Sequence, residues 1–203
     1  MKSIDDHIIT KIKKARGGSL FFIEDFLHFG SSEAIRKALE RLVNKGLISR
    51  ISRGIYARLK THEMFGEIMP SAEEIAQAIA KRDKARIIPT GVLALNALGL
   101  STQVPMKSVY LTDGSARTIT MGKRTIKFKK SSPRNLSAIG PISSLVIQAL
   151  KEIGKDHVTD EEIEKVLKHL EKEESYRLAH DIKLAPEWIR IIMRKALKDR
   201  KNE

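Results

Sequence analysis

A helical stripe of apolar residues near the start of the chain places the strongest constraint on the fold. Its members recur at the spacing of one helix face: Ile35, Ala38, Leu39, Leu42 and Val43. Ser31 or Ser32 can accept hydrogen bonds from the free amides that open this helix, and Gly46 is placed to end it. The pattern predicts an amphipathic helix that buries one face against neighbouring elements.

The sequence predicts further helices and strands on both sides of this helix. A first helix follows from Ile4, Ile8, Ile9, Ile12 and Ala15, and residues 20–22 and 23–28 predict a short strand and a short second helix. Residues 49–51 and 55–57 flank a turn in which Gly54 supplies a positive φ, which predicts a hairpin. Three helices followed by a basic hairpin form the order of a winged helix-turn-helix, so we expect residues 1–60 to be such a DNA-binding domain.

The remainder of the chain predicts a second domain. Residues 61–70 are mildly acidic, end in proline and are interpreted as a linker. Residues 71–203 begin with a Ser71–Glu74 capping box, and residues 108–128 alternate with period two, which predicts a small antiparallel sheet connected as a meander. From about residue 141 to 203 the patterns are helical. The predicted class is therefore α+β, a winged helix-turn-helix plus an α/β domain that ends in helices.

The distribution of charge points to a polyanionic partner. The formal net charge is +13; residues 1–60 carry an excess of seven positive charges and residues 71–140 an excess of eight, whereas residues 141–203 are neutral. Solubility alone is the less specific explanation. The chain lacks cysteine and has no apolar run that could span a bilayer, so we expect a cytoplasmic protein without a membrane partner.

The predicted DNA contacts lie on the helix and the hairpin of the first domain. Hydroxyls and amides at the helix start suit phosphate, Arg36 and Lys37 suit guanine edges in the major groove, and arginines around the hairpin turn suit the DNA backbone or the minor groove. The predicted contact residues are Ser31, Ser32, Arg36, Lys37, Arg41, Arg50 and Arg53. The alternative is a solvated helix face held by pairs such as Glu33 with Lys37.

A second basic group lies in the predicted sheet. It consists of Lys123, Arg124, Lys127, Lys129 and Lys130. Strand alternation places Lys127 and Lys129 on one face, away from Ile126 and Phe128. This surface could extend the DNA footprint, bind RNA or dock an acidic protein, and a solvated sheet face is equally compatible with it.

The sequence offers no catalytic constellation. The six histidines lack metal-ligand spacing, no nucleophile and base can be paired, and the acidic clusters at 160–164 and 171–174 are interpreted as solvated helix faces. We therefore expect a non-enzymatic protein with no metal and no cofactor.

Two segments carry a family resemblance. The first is IRKALERLVNKGLISRISRGIY at 35–56, which resembles the winged helix of AbiEi-type antitoxins. The second comprises PTGVLALNALGLSTQVP at 89–105 and VYLTDG at 109–114, which are similar to the DUF6088 branch of that group. Within the second segment, the match draws attention to Thr90, Asn96, Ser101, Thr102, Gln103 and Asp113, either as caps and turn residues or as partner contacts.

The resemblance implies a transcriptional repressor that serves as the antitoxin of a bacterial type IV toxin-antitoxin system. Its partners would be double-stranded DNA, namely its own operator, and a nucleotidyltransferase-like toxin that it antagonises functionally. An RNA-binding or protein-docking adaptor that uses the basic surface is the alternative. The sequence leaves open the operator, the toxin, the oligomeric state and whether the antagonism involves direct contact.

Overall fold

The computed structural model describes residues 3–199, so the first two and last four residues of the predicted domains lie outside it. Two compact units divide the chain, the first ending at Ile79 and the second beginning at Ala80. The mixed α+β class is confirmed, whereas the predicted domain bounds stay a prediction.

The first unit begins with the predicted order of helix, strand, two helices and hairpin. Its elements are α1 (Ile4–Lys14), β1 (Leu20–Phe22), the 3₁₀ helix η1 (Ile23–Phe29), α2 (Ser32–Asn44), β2 (Ser49–Ser52), β3 (Ile55–Ala57), β4 (Lys60–His62) and β5 (Gly66–Ile68). The strands β1, β3 and β2 form one antiparallel sheet in that order. Helix α3 (Ala72–Asp83) contains the boundary between the units.

A single apolar core organises the helices and the three-stranded sheet of the first unit. Ile8 and Ile12 of α1, Phe26 of η1, and Ile35 and Leu39 of α2 are fully buried in it. Burying each of these side chains contributes about 1.5–3 kcal/mol. The core therefore orients α2 with its apolar stripe inward and its charged side chains outward.

The segment interpreted as a linker contains secondary structure. Strands β4 and β5 pair antiparallel, and all six of their residues are exposed. The predicted capping box follows: the Ser71 amide donates to Glu74 Oε2 at 2.8 Å, and the Glu74 amide donates to Ser71 Oγ at 3.1 Å. The beginning of α3 is thus where the sequence predicts it.

The second unit combines a four-stranded sheet with a group of helices. Its elements are β6 (Ile87–Pro89), α4 (Val92–Ala97), β7 (Lys107–Thr112), β8 (Arg117–Met121), β9 (Arg124–Lys130), the 3₁₀ helix η2 (Pro133–Leu136), α5 (Pro141–Ile153), α6 (Asp160–Leu170), α7 (Ser175–Ile182) and α8 (Glu187–Asp199). The helical core includes Val146 and Leu150 of α5, Leu170 of α6 and Ile189 of α8.

The strands β7, β8 and β9 lie where they were predicted, but β6 was not predicted and the connection as a meander is wrong. The order is β6-β7-β9-β8, and β9 runs parallel to its neighbour β7 while β6–β7 and β8–β9 are antiparallel. In a meander β8 would be central, yet its Thr118 and Thr120 are exposed, whereas Ile126 and Phe128 of β9 are buried. Strand β9, whose Ile126 and Phe128 are buried, takes the central position, because a central strand is shielded on both sides by its neighbours.

None of the helices within residues 3–199 is long and apolar enough to cross a membrane.

Candidate nucleic-acid interface

Helix α2 presents the predicted contact side chains on the face opposite to its core stripe. Ser31 is the N-cap, and its Oγ accepts a hydrogen bond from the Ala34 amide at 3.3 Å, so this hydroxyl already serves the helix. Ser32 is the first helical residue and is half-buried, whereas Arg36, Lys37 and Arg41 are exposed. The helix therefore offers three basic side chains, and these differ in their surroundings.

Arg36 and Lys37 are adjacent in sequence but are not equivalent. The guanidinium of Arg36 makes no hydrogen bond or ion pair with any of residues 3–199. Lys37 Nζ lies 2.9 Å from Glu33 Oε1, one helical turn earlier. Both partners of this pair are well exposed, so the pair is weak and separates easily. Arg36 is thus the basic side chain of α2 that is freest to contact another molecule.

Arg41 is held by an acidic residue from α1. Its Nε and one terminal nitrogen donate to the two carboxylate oxygens of Asp5, at 3.0 and 2.6 Å. The hydrogen bond from the Arg41 guanidinium holds the pKa of Asp5 below its usual range, and the same bond raises the pKa of Arg41. In this structure Arg41 joins α2 to α1.

The hairpin after α2 turns through two residues, Arg53 and Gly54. Gly54 has φ of +75°, as predicted for this turn. The register shifts between Arg50 and Ser52, and Ile51 between them is buried. Arg50 and Arg53 are exposed and unpaired within the described residues, so the hairpin carries two free guanidinium groups.

One residue of the hairpin and one just after it stabilise the fold of the first unit. Tyr56 is buried in the first core, as its position on a strand predicts. Arg58 donates from one terminal nitrogen to the carbonyl oxygens of Lys13 and Ala15, at 2.6 and 2.8 Å, and so satisfies acceptors at the end of α1. The hairpin and the residues just after it therefore carry fewer free basic side chains than their positive charge suggests.

The second basic group lies on β9 and the turn before it. Lys123, Arg124, Lys129 and Lys130 are exposed and Lys127 is half-buried. The predicted alternation is confirmed, because Ile126 and Phe128 are buried while Lys127 and Lys129 face the other way. In the parallel pair with β7, Lys127 lies beside Val109 and Lys129 beside Leu111, both half-buried. This sheet face therefore mixes ammonium groups with apolar side chains.

Four of the residues singled out by the family resemblance shape the backbone. Thr90 donates through Oγ1 to the carbonyl of Val109, and Asp113 accepts from the Arg86 amide. Asn96 donates to the carbonyls of Ser101 and Gln103, at 3.2 and 3.3 Å, and Ser101 Oγ accepts from the Gln103 amide. The interpretation of these residues as turn and cap formers is supported, while the side chains of Thr102 and Gln103 are exposed.

Sequence reasoning missed a buried polar cluster at the start of α5. Asp181 has no exposed surface; its carboxylate accepts from the amides of Ile139 and Gly140, at 2.9 and 2.8 Å, and from Ser143 Oγ at 2.5 Å. Glu173 Oε2 accepts from the amides of Ile142 and Ser143, at 2.7 and 3.0 Å. The interpretation of 171–174 as a solvated face is wrong for Glu173, which is 4% exposed. Helix α6 ends at Leu170, and the chain then turns this carboxylate inward.

This cluster has the residue types of a hydrolase triad without its geometry. Ser143 Oγ donates to Asp181, and His180 Nδ1 also contacts Asp181, at 2.8 Å. A serine nucleophile needs its base within hydrogen-bond reach, but here both side chains meet the carboxylate and Ser143 is fully buried. The two carboxylates instead satisfy the amides that open α5. Spacing could not reveal this, since the partners are 30 to 42 positions apart.

Within residues 3–199 no group of three histidine or acidic side chains is placed to hold a metal ion.

The fold and this surface define a class: a mixed α+β protein whose first unit exposes a basic helix and a basic hairpin. The chain belongs to the family of unknown function DUF6088, whose model matches residues 7–187. A comparison with curated proteins gave no match.

Proposed function

We propose that the protein is a DNA-binding transcriptional repressor that acts as the antitoxin of a bacterial type IV toxin-antitoxin system. The observation that carries the proposal is the set of free guanidinium groups in the first unit: Arg36 on the exposed face of α2, and Arg50 and Arg53 on the hairpin that follows. Base edges and phosphates are the acceptors that such groups suit.

The element order supports a winged helix-turn-helix as the DNA-binding module. Helix η1, the turn at Gly30 and helix α2 would form the helix-turn-helix, and β2 and β3 would form the wing. In this arrangement the second helix lies in the major groove and leads with its N-terminal residues, which places Arg36 near the bases. The wing would follow the phosphate backbone or enter the minor groove.

The antitoxin role rests on the resemblance to AbiEi-type antitoxins and on membership of DUF6088. Under this proposal the first unit represses the operon and the second unit antagonises a nucleotidyltransferase-like toxin, without catalysis or cofactor and in the cytoplasm. Expression of a toxin encoded beside this protein should arrest bacterial growth. Co-expression of this protein with that toxin should restore growth. Growth arrest that persists with the protein present and folded would contradict the antitoxin role.

Fluorescence anisotropy across a salt series tests the repressor role. We expect the protein to prefer its own upstream DNA over a scrambled duplex by roughly a thousandfold or more, with a steep loss of affinity as salt rises. Weak and equal binding to both duplexes would contradict a repressor and favour the adaptor described below.

Arg53→Ala is expected to weaken binding to operator and scrambled duplex alike, and to reduce the salt slope by about 0.9, because a backbone contact reads charge and not sequence. Arg53→Lys is the matched control. It keeps the charge, so it should keep the slope. A loss confined to the operator would show that Arg53 contacts a base and would contradict this role.

The mixed face of β9 and β7 favours a second candidate function, an adaptor that binds RNA or an acidic protein. Lys127 and Lys129 beside Val109 and Leu111 would supply charge and apolar contact together. In that case replacing both lysines with glutamine would abolish binding of single-stranded RNA or of the acidic protein, while Arg36→Ala would leave it unchanged.

A further inference from the structure

The bridge between Asp5 and Arg41 has the geometry of a phosphate contact. Two nitrogens of one guanidinium face two oxygens of one anion, at 3.0 and 2.6 Å. Arginine binds a phosphate group in the same two-pronged way, because both anions present paired oxygens at a similar spacing. The carboxylate of Asp5 therefore occupies the two Arg41 nitrogens that would otherwise donate hydrogen bonds to a DNA phosphate.

The position of Arg41 makes such a phosphate contact accessible. Arg41 lies one helical turn after Lys37 on α2, so the two side chains share one flank of the helix. Its side chain keeps 53% of its surface exposed despite the bridge, while that of Asp5 keeps only 19%. The acidic partner is thus held in the fold, and the basic partner remains at the surface.

Lys37 and its partner Glu33 show the contrast. Their pair has a single contact, and both side chains are more than 60% exposed, so water and DNA compete with it freely. The bridge of Arg41 is bidentate, and its carboxylate is largely shielded from water. Arg41 is therefore the basic residue of α2 that the fold itself restrains.

We propose that Asp5 acts as an internal substitute for DNA phosphate and withholds Arg41 from the duplex. The inference rests on the proposed function, that α2 faces DNA, and adds a device that limits the affinity of this site. By occupying one potential contact with the DNA backbone, Asp5 lowers the affinity for every duplex. Sequence recognition is then left to Arg36. Asp5 thus acts only through Arg41, by holding its guanidinium away from the duplex.

Salt-dependent binding of the full-length chain tests this device with a 20–30 base-pair duplex of its upstream DNA and a scrambled duplex of equal length. Asp5→Asn is expected to raise affinity for both several-fold at low salt and to steepen the salt slope by about 0.9, the value of one added phosphate contact. Arg41→Gln alone is expected to leave the slope unchanged. The double variant Asp5→Asn/Arg41→Gln is expected to return the slope to that of the unaltered protein.

Glu24→Gln is the matched control, because Glu24 is an exposed acid of the same unit whose side chain makes no hydrogen bond or ion pair with the described residues. Its replacement changes the net charge by the same amount as Asp5→Asn. The salt slope of Glu24→Gln should equal that of the unaltered protein.

Circular dichroism and the melting temperature show which variants are folded. A slope unchanged in folded Asp5→Asn, an equal effect of Glu24→Gln, or a loss of about 0.9 in Arg41→Gln would each overturn the inference. Absence of DNA binding by the unaltered protein would overturn the proposed function and this inference together, whereas intact binding with any of the former results would overturn the inference alone.

Discussion

Replacing Asp181 with alanine is expected to lower the free energy of unfolding of the second unit by about 3–5 kcal/mol. The carboxylate is fully buried and accepts from two backbone amides and the Ser143 hydroxyl. Removing it leaves these donors without their acceptor at the start of α5, and it opens a cavity. Each buried donor that loses its partner costs about 1–3 kcal/mol, and few single substitutions act on three donors at once.

Trp188 provides the measurement, since it is the only tryptophan and packs against the helical core of the second unit. Its fluorescence during urea unfolding should show a lower midpoint for Asp181→Ala. Asp156→Ala is the matched control, because Asp156 is exposed and without a partner among the described residues, and its change should stay within about 0.5 kcal/mol.

A second variant covers the case in which Asp181→Ala does not fold. Asp181→Asn keeps the shape and one acceptor oxygen, but its amide group must face a backbone donor, so we expect a smaller loss in the same direction. An unfolding free energy of either variant equal to that of the unaltered protein would contradict the capping role of Asp181.

Replacing Arg36 with alanine is expected to reduce the preference for operator over scrambled duplex by about fivefold to 150-fold. A bidentate arginine contact with guanine contributes about 1–3 kcal/mol of discrimination, and Arg36 has no competing partner within the described residues. Binding to the scrambled duplex should fall much less. The effect of Lys37→Ala on operator preference should be smaller, because Lys37 has to separate from Glu33 before it contacts a base.

Anisotropy with both duplexes at constant salt measures this effect. Arg16→Ala is the matched control, because Arg16 is exposed between α1 and β1 and its side chain makes no hydrogen bond or ion pair with residues 3–199. The substitution removes the same charge as Arg36→Ala. It should leave the preference unchanged. An equal loss on both duplexes for Arg36→Ala would refute its base-reading role.

Local patterns predicted much of the fold correctly. The stripe from Ile35 to Val43 predicted α2, the glycine at position 54 predicted the hairpin turn, and the Ser71–Glu74 capping box predicted the start of α3. Each of these signals acts within one turn of helix or a few residues of strand. The same apolar side chains and capping groups that make up the sequence pattern also stabilise the helix or turn that the pattern predicts.

The candidate site was predicted only as a set of residues. Every predicted basic side chain of α2 and the hairpin is exposed, but sequence could not separate the free Arg36 from Arg41, which Asp5 holds. Likewise, the acidic run at 171–174 has the composition of a solvated face, yet Glu173 turns inward to meet α5. In both cases the partner lies on another element.

The sequence by itself determined which residues of each helix and strand face the core, because periodicity repeats over neighbouring positions and burial follows from it. The tertiary structure alone decided the insertion of β9 between β7 and β8, the capture of Arg41 by Asp5, and the burial of Asp181 and Glu173 under α5. The polar contacts join residues 30 to 42 positions apart, and the strand order depends on which side chains the whole sheet buries. Such pairings follow from competition among all elements for burial and for hydrogen-bond partners, and no local pattern records the result of that competition.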